Sequence, residues 1–206
     1  VRNRIHANGT VNLAQRLVQH RPMALGEPLT VSGRIVDVQE VPRGRVVTSE
    51  TWFCGADGQR ALTTGRLSLR PGAAMASASG TGEKPAPVVT DLAGLKDLGT
   101  ATLTPEGVTA YTGPENPIHF DPEVAIRKGY RAPIVGGGQC VRFLTAALWR
   151  QFRPRTLGLE IFFRRPVFWD DTVTVMADQQ GGHWKAICLV AHGKVTTEAR
   201  ITDLSA

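Results

Sequence analysis

Cysteine is scarce. Cys54, Cys140 and Cys188 are the only three in 206 residues, far apart and in no metal-ligand spacing. No metal site is therefore expected, and an odd, unpatterned count suits a reducing, cytoplasmic setting. Aromatic residues make up only 6% of the chain. Arginine is common (Arg142, Arg150, Arg153, Arg155, Arg164, Arg165) but spread out, with no RNA- or DNA-binding motif beside it. The expectation is no nucleic-acid partner. No apolar run approaches the length of a membrane span, and no charged-then-apolar leader opens the chain, so no membrane is expected. What is present is an apolar fraction of 42%, enough for the core of one large domain or two small ones, and a formal charge of +6. That charge favours anionic ligands, such as a phosphate-bearing small molecule or an acidic partner protein.

The chain carries an internal echo. "HRPMALGEPLTV" (His20–Val31) resembles "RRPVFWDDTVTV" (Arg164–Val175), with Arg21-Pro22 and Thr30-Val31 matching Arg165-Pro166 and Thr174-Val175 at one offset. "LTTGRLSL" (Leu62–Leu69) likewise resembles "VTTEARIT" (Val195–Thr202). Both copies read as strands that follow an Arg-Pro step, two versions of one supersecondary unit. In the second copy Val173, Val175 and Ala177 alternate with Thr172, Thr174 and Met176. In the first, Leu29, Val31 and Ile35 alternate until Val36 and Val38 shift the phase, which predicts a bulge near Gly33. "ADGQ" (Ala56–Gln59) is a hairpin turn between strands at Val46–Cys54 and Arg60–Leu69. Gly181-Gly182 and Gly193 punctuate strands near Thr172–Asp178, Trp184–Ala191 and Lys194–Thr202. "PGAAMASASGTGEKPAPVV" (Pro71–Val89) is small, Gly/Pro/Ser-rich and without periodicity, as in a linker.

One segment is helical. In "GGGQCVRFLTAALWRQFRPR" (Gly136–Arg155), Val141, Leu144, Leu148 and Phe152 fall at helical spacing, and Cys140, Phe143 and Ala147 form a second stripe. A helix apolar over most of its surface is buried, and Pro154 stops it. A buried helix preceded by a strand at Leu98–Leu103 and followed by four antiparallel strands predicts a sheet wrapped around that helix. The first copy has only twenty residues before Arg21 and lacks such a helix. It is expected to be incomplete, either by loss of its front half or because the chain is a piece of a longer one.

Before the helix stands "ENPIHFDPEVA" (Glu115–Ala125). Pro117 fixes its own φ and pushes Asn116 out of the helical region, so the stretch is a rigid loop presenting Asn116 and His119.

A sheet wrapped around a helix, with "NPIH" on the loop before it, resembles the MaoC-like family of the hot dog fold. This family includes the (R)-specific enoyl-CoA hydratases. The resemblance runs through Thr112, Gly113, Asn116, Pro117, Ile118, His119 and Ala125 to the helix start at "PIVGGG" (Pro133–Gly138), and covers about residues 98–203. It implies an α+β hot dog, here a double hot dog with an incomplete first copy: 1–70 the partial copy, 71–97 a linker, 98–206 the complete one. It implies a hydratase or dehydratase acting on trans-2-enoyl or (R)-3-hydroxyacyl thioesters of coenzyme A or an acyl carrier protein. No cofactor is required beyond that thioester substrate, and assembly is as a homodimer or as the double hot dog itself. By the same resemblance, His119 is one of an acid/base pair, Asn116 orients the water or the imidazole, and the N–H of Gly137 serves the oxyanion. Gly136, Gly138 and Arg131 are expected on the substrate path, and because coenzyme A and carrier proteins are anionic, an arginine-rich rim drawn from Arg131, Arg153, Arg155 or Arg164 is expected to meet them. Thr145 can supply a hydroxyl.

The sequence departs from the family at two positions. Pro114 stands where the family has its catalytic Asp, with Glu115 next to it as the possible substitute, and Gly136 replaces a His. The alternative is thus a non-catalytic or partner-dependent thioester-binding protein.

Overall fold

The structure is a computed structural model, and it describes residues 10–42, 44–72, 85–112, 114, 116–180 and 183–205. One nine-stranded antiparallel sheet runs through them, in the spatial order β2-β3-β4-β1-β6-β9-β8-β7-β5. The first four strands are β1 (Val11–Gln19), β2 (Thr30–Val41), β3 (Gly44–Cys54) and β4 (Arg60–Pro71). The others are β5 (Lys96–Thr102), β6 (Thr156–Phe163), β7 (Thr172–Gln180), β8 (His183–Ala191) and β9 (Lys194–Ser205). Three helices lie between β5 and β6: α1 (Pro105–Thr112), α2 (Pro122–Arg127) and α3 (Gly137–Phe152).

The repeated sequences occupy matching places. Outward from the centre the order is β1, β4, β3, β2 on one side and β6, β9, β8, β7 on the other. The echo therefore pairs β2 with β7 and β4 with β9. The two halves join edge to edge along β1 and β6, from Ala14 opposite Phe162 to Gln19 opposite Leu157. β1 itself is not evident in the sequence. Its alternation breaks where the register against β4 slips between Asn12 and Ala14.

Helix α3 has the bounds its periodicity predicts. Arg153 ends it in the left-handed region (φ 47°), ahead of Pro154. It buries a single face, comprising Gln139, Cys140, Val141, Leu144, Ala147 and Leu148. The opposite face is exposed, Trp149 included, so the expectation of a helix buried all round is corrected. Its buried face meets Leu157, Leu159, Ile161, Val173, Val175, Ile187 and Leu189 in one core. α3 packs on strands of the second half. Within that core, β1 contributes only Leu17, at its margin.

The first half has no comparable core among the described residues. Val31, Ile35, Val36 and Val38 of β2 are all about half exposed or more (48–57%). Among the described residues this face of β2 is left exposed. The bulge in β2 falls between Ile35 and Asp37, not at Gly33, because the phase shift comes from the Ile35-Val36 pair itself. The "ADGQ" turn forms as read, with Gly58 at φ +75° and the N–H of Gly55 bonded to the carbonyl of Gln59. Gly181-Gly182 and most of the Pro71–Val89 stretch lie outside the described residues. Among those residues, no helix is long and apolar enough to cross a membrane.

With the core confined to one half, stability should respond unequally to substitution. Leu144→Ala, at 0% exposure, is expected to cost about 2–5 kcal/mol. Val38→Ala is expected to cost a small fraction of that. Urea unfolding of both variants measures this, and equal losses would contradict the single-core assignment.

Candidate functional site

His119 closes a single 3-10 turn, Pro117–His119. Asn116 precedes that turn in an extended conformation (φ −133°, ψ 97°), as a residue before proline must. Its side chain caps nothing in the turn, which leaves the amide free to reach the imidazole. Two hydrogen bonds then define the His119 ring. Nδ1 is 2.7 Å from the carbonyl oxygen of Ile134 and can only donate to it. In the neutral ring Nε2 is then the unprotonated nitrogen, and it accepts from Nδ2 of Asn116 at 3.1 Å. Burial lowers the His119 pKa below its ordinary value near 6.5, opposed in part by the bond to Ile134. At neutral pH the ring is a neutral imidazole with its Nε2 lone pair held toward Asn116.

Ile134 is itself fixed. Its N–H bonds back to the carbonyl of Ile118, and it bridges to Phe168 next to the sheet. Asp121, two residues beyond His119, turns out to be structural. Its carboxylate caps α2 by accepting from the N–H groups of Glu123 and Val124. Asp121 thus ends the loop rather than serving His119.

The glycines at the start of α3 stand beside the ring. A Cβ on Gly136 would lie 3.7 Å from Cε1 of His119. A Cβ on Gly137 would press on the Phe163 ring at 3.0 Å and on Nδ2 of Asn12 at 3.1 Å. Gly136 is the N-cap and brings no side chain to the first turn, so the leading N–H groups of α3 are not capped by it. His119, Asn116 and Gly137 line one open cavity of about 1430 Å³. The cavity crosses the β1–β6 seam, and Asn12, Arg34, Glu50 and Arg66 of the first half line it too.

Other expected residues are placed elsewhere. Thr145 gives its hydroxyl to the carbonyls of Val141 and Arg142 in its own helix and does not line the cavity. Arg131 is held by Asp170 and Asp171 and stacks on Phe168, also off the cavity. Gly138 faces the hydroxyl of Tyr111. Arg153 and Arg155 sit at the far end of α3, roughly 20 Å along the axis from Gly137. Pro114 is exposed, and Glu115 lies outside the described residues. Of the arginines expected at the rim, only Arg164 reaches the cavity, where Arg165 and Lys128 join it. Arg164 is pinned by the buried Glu198 at 2.5 Å and by the carbonyls of Pro85 and Ala86. Cys140 lines the cavity as well, but burial pushes its thiol up to about 11, so it is no thiolate nucleophile at neutral pH.

Asn12 is the residue that the sequence reading missed. It lies more than a hundred positions from the loop, on a strand whose alternation is broken.

The family model for MaoC-like domains matches residues 98–200, half of the chain. A comparison with curated proteins finds no match. Among solved structures, HtdX of Mycobacterium tuberculosis superposes with a TM-score of 0.71 at 22% identity, over 96% of this chain and 78% of that one. A MaoC-like dehydratase from Phytophthora capsici gives 0.70 at 21%, over 94% and 72%. The full-length peroxisomal multifunctional enzyme type 2 of Drosophila melanogaster gives 0.72 at 21%, over 98% of this chain and 38% of that one. These likenesses establish the hot dog fold.

The ring assignment is open to direct test. In ¹⁵N-detected NMR at neutral pH, His119 should show a pyrrole-like Nδ1 and a pyridine-like Nε2, and should titrate below pH 6.5. The opposite tautomer, or a raised pKa, would contradict the geometry.

Proposed function

The chain belongs to the MaoC-like domain family, and we propose that it hydrates trans-2-enoyl thioesters or dehydrates the corresponding (R)-3-hydroxyacyl thioesters. The observation that carries this reading is the unprotonated Nε2 of His119, fixed on a cavity that it shares with the start of α3. On this reading, residues 1–70 and 98–206 are an incomplete and a complete hot dog unit joined by 71–97.

Asn116 gives up its bond to Nε2, and Nε2 takes a proton from a water molecule that enters between them and that the freed amide helps to orient. The water oxygen bonds to C3 of the enoyl group, and the C2–C3 π pair moves toward the thioester. Negative charge gathers on the thioester oxygen, where the Gly137 N–H can receive it at the positive end of α3. The imidazolium then returns the proton to C2, restoring the C=O bond. One imidazole serves both proton transfers because Pro114 supplies no acid. Glu50, a carboxylate on the cavity wall, is paired with Arg34. Turnover should accordingly be slow, since a general acid or base contributes ~10²–10⁴-fold. The basic side chains on the cavity, Arg34, Arg66, Lys128 and Arg165, suit the phosphates of coenzyme A or an acidic carrier protein. The absence of an acid at Pro114 also favours the alternative, thioester binding without turnover.

Hydration of crotonyl-CoA, followed by loss of the enoyl thioester absorbance, separates the two. Slow wild-type hydration is expected, falling about 10²–10⁴-fold in His119→Ala and rising in Pro114→Asp. The rate should also fall with acid only below pH 6.5, where His119 takes up a proton, and binding should weaken with added salt. Saturable binding with no turnover selects the alternative. Turnover indifferent to His119→Ala refutes the site.

A further inference from the structure

We infer that Asn12, on β1 of the first half, is a second hydrogen-bond donor to the thioester oxygen, sharing it with the backbone N–H of Gly137. The inference rests on the hydratase reading above and adds a residue to it from the other side of the seam.

Three observations support it. First, Asn12 lines the same cavity as His119 and Gly137, and its Nδ2 lies 3.1 Å from where a Gly137 side chain would begin. An amide donor therefore abuts the place assigned to the oxyanion. Second, no group among the described residues bonds to that amide. A half-buried donor without a partner is one that a ligand oxygen can satisfy. Third, β1 is irregular at this point. The register against β4 passes from Asn12 opposite Ser68 to Ala14 opposite Leu67, leaving Leu13 as an extra residue. Regular pleating would keep Asn12 and Ala14 on one face. A bulge breaks that relation and re-aims a side chain, and bulges of this kind recur beside active sites.

The chemistry follows. As the water oxygen bonds to C3, the π pair forms a C1–C2 double bond and the carbonyl pair moves onto oxygen. Two N–H donors, from Gly137 and Asn12, hold that charge until C2 is protonated and the carbonyl re-forms. Glycine at 137 fits this arrangement, because a Cβ there would crowd both the Asn12 amide and the Phe163 ring and need each to give by a few tenths of an ångström.

The test uses the full chain, crotonyl-CoA labelled with ¹³C at the thioester carbon, and the variants Asn12→Ala and Asn12→Asp. Asn12→Asp preserves size and guards against a failure of Asn12→Ala to fold. In the wild type the isotope-edited infrared carbonyl band should move to lower frequency on binding. Both variants should lose much of that movement. kcat should fall about 10²-fold in Asn12→Ala, with KM little changed, and at least as far in Asn12→Asp, whose carboxylate repels the oxyanion. If the wild type binds without turnover, the band alone decides. A band and a kcat unmoved by both substitutions, in a protein whose hydration still needs His119, overturn the role of Asn12 and leave the hydratase reading standing. No binding of crotonyl-CoA, or hydration indifferent to His119→Ala, overturns that reading and this role together.

Discussion

The bond from Nδ1 of His119 to the carbonyl of Ile134 is the contact on which the site depends. It selects the tautomer, orients the ring, and leaves Nε2 as the only basic atom presented to Asn116. Its strength comes from what stands behind it. Ile134 is bonded to Ile118 and bridged to Phe168, and Val135 bonds to the carbonyl of Val167. The loop and the start of α3 are thus tied to the same short stretch of backbone. A displacement of that stretch would move base and helix together, preserving their relation. Preorganisation of this kind matters because a charge developing in a reaction is best met by dipoles that need not move.

The second constraint is the β1–β6 seam. Without it the cavity would have one wall, because α3 and its core belong to the second half. The seam brings a strand of the first half, with Asn12 on it, to the opening of α3. The first half builds no comparable core of its own among the described residues, and its β2 leaves an apolar face exposed. What it does supply is cavity wall, including Arg34, Glu50 and Arg66.

Much of this was legible in the sequence. The bounds of α3 followed from its stripes, the presence of two related sets of strands from the Arg-Pro echo, and the presentation of Asn116 and His119 on one loop from the rigidity that Pro117 imposes. What escaped the sequence were pairings made across the fold. Arg131 looked free until Asp170 and Asp171 were found against it. Thr145 looked available until its hydroxyl was found on helix carbonyls. Arg153 and Arg155 are near Arg164 in sequence, but α3 separates them from the cavity along its length. β1 was hidden by its own bulge, since one extra residue destroys the period-two signal by which a strand is read.

The account claims above all that His119 and the start of α3 act on one thioester. A crystal structure with (R)-3-hydroxybutyryl-CoA tests this most directly. The account predicts the 3-hydroxyl within hydrogen-bond reach of Nε2 of His119, and the thioester oxygen facing the N–H of Gly137. A thioester lodged elsewhere, or a His119 ring turned away from the ligand with its Ile134 bond broken, would contradict it.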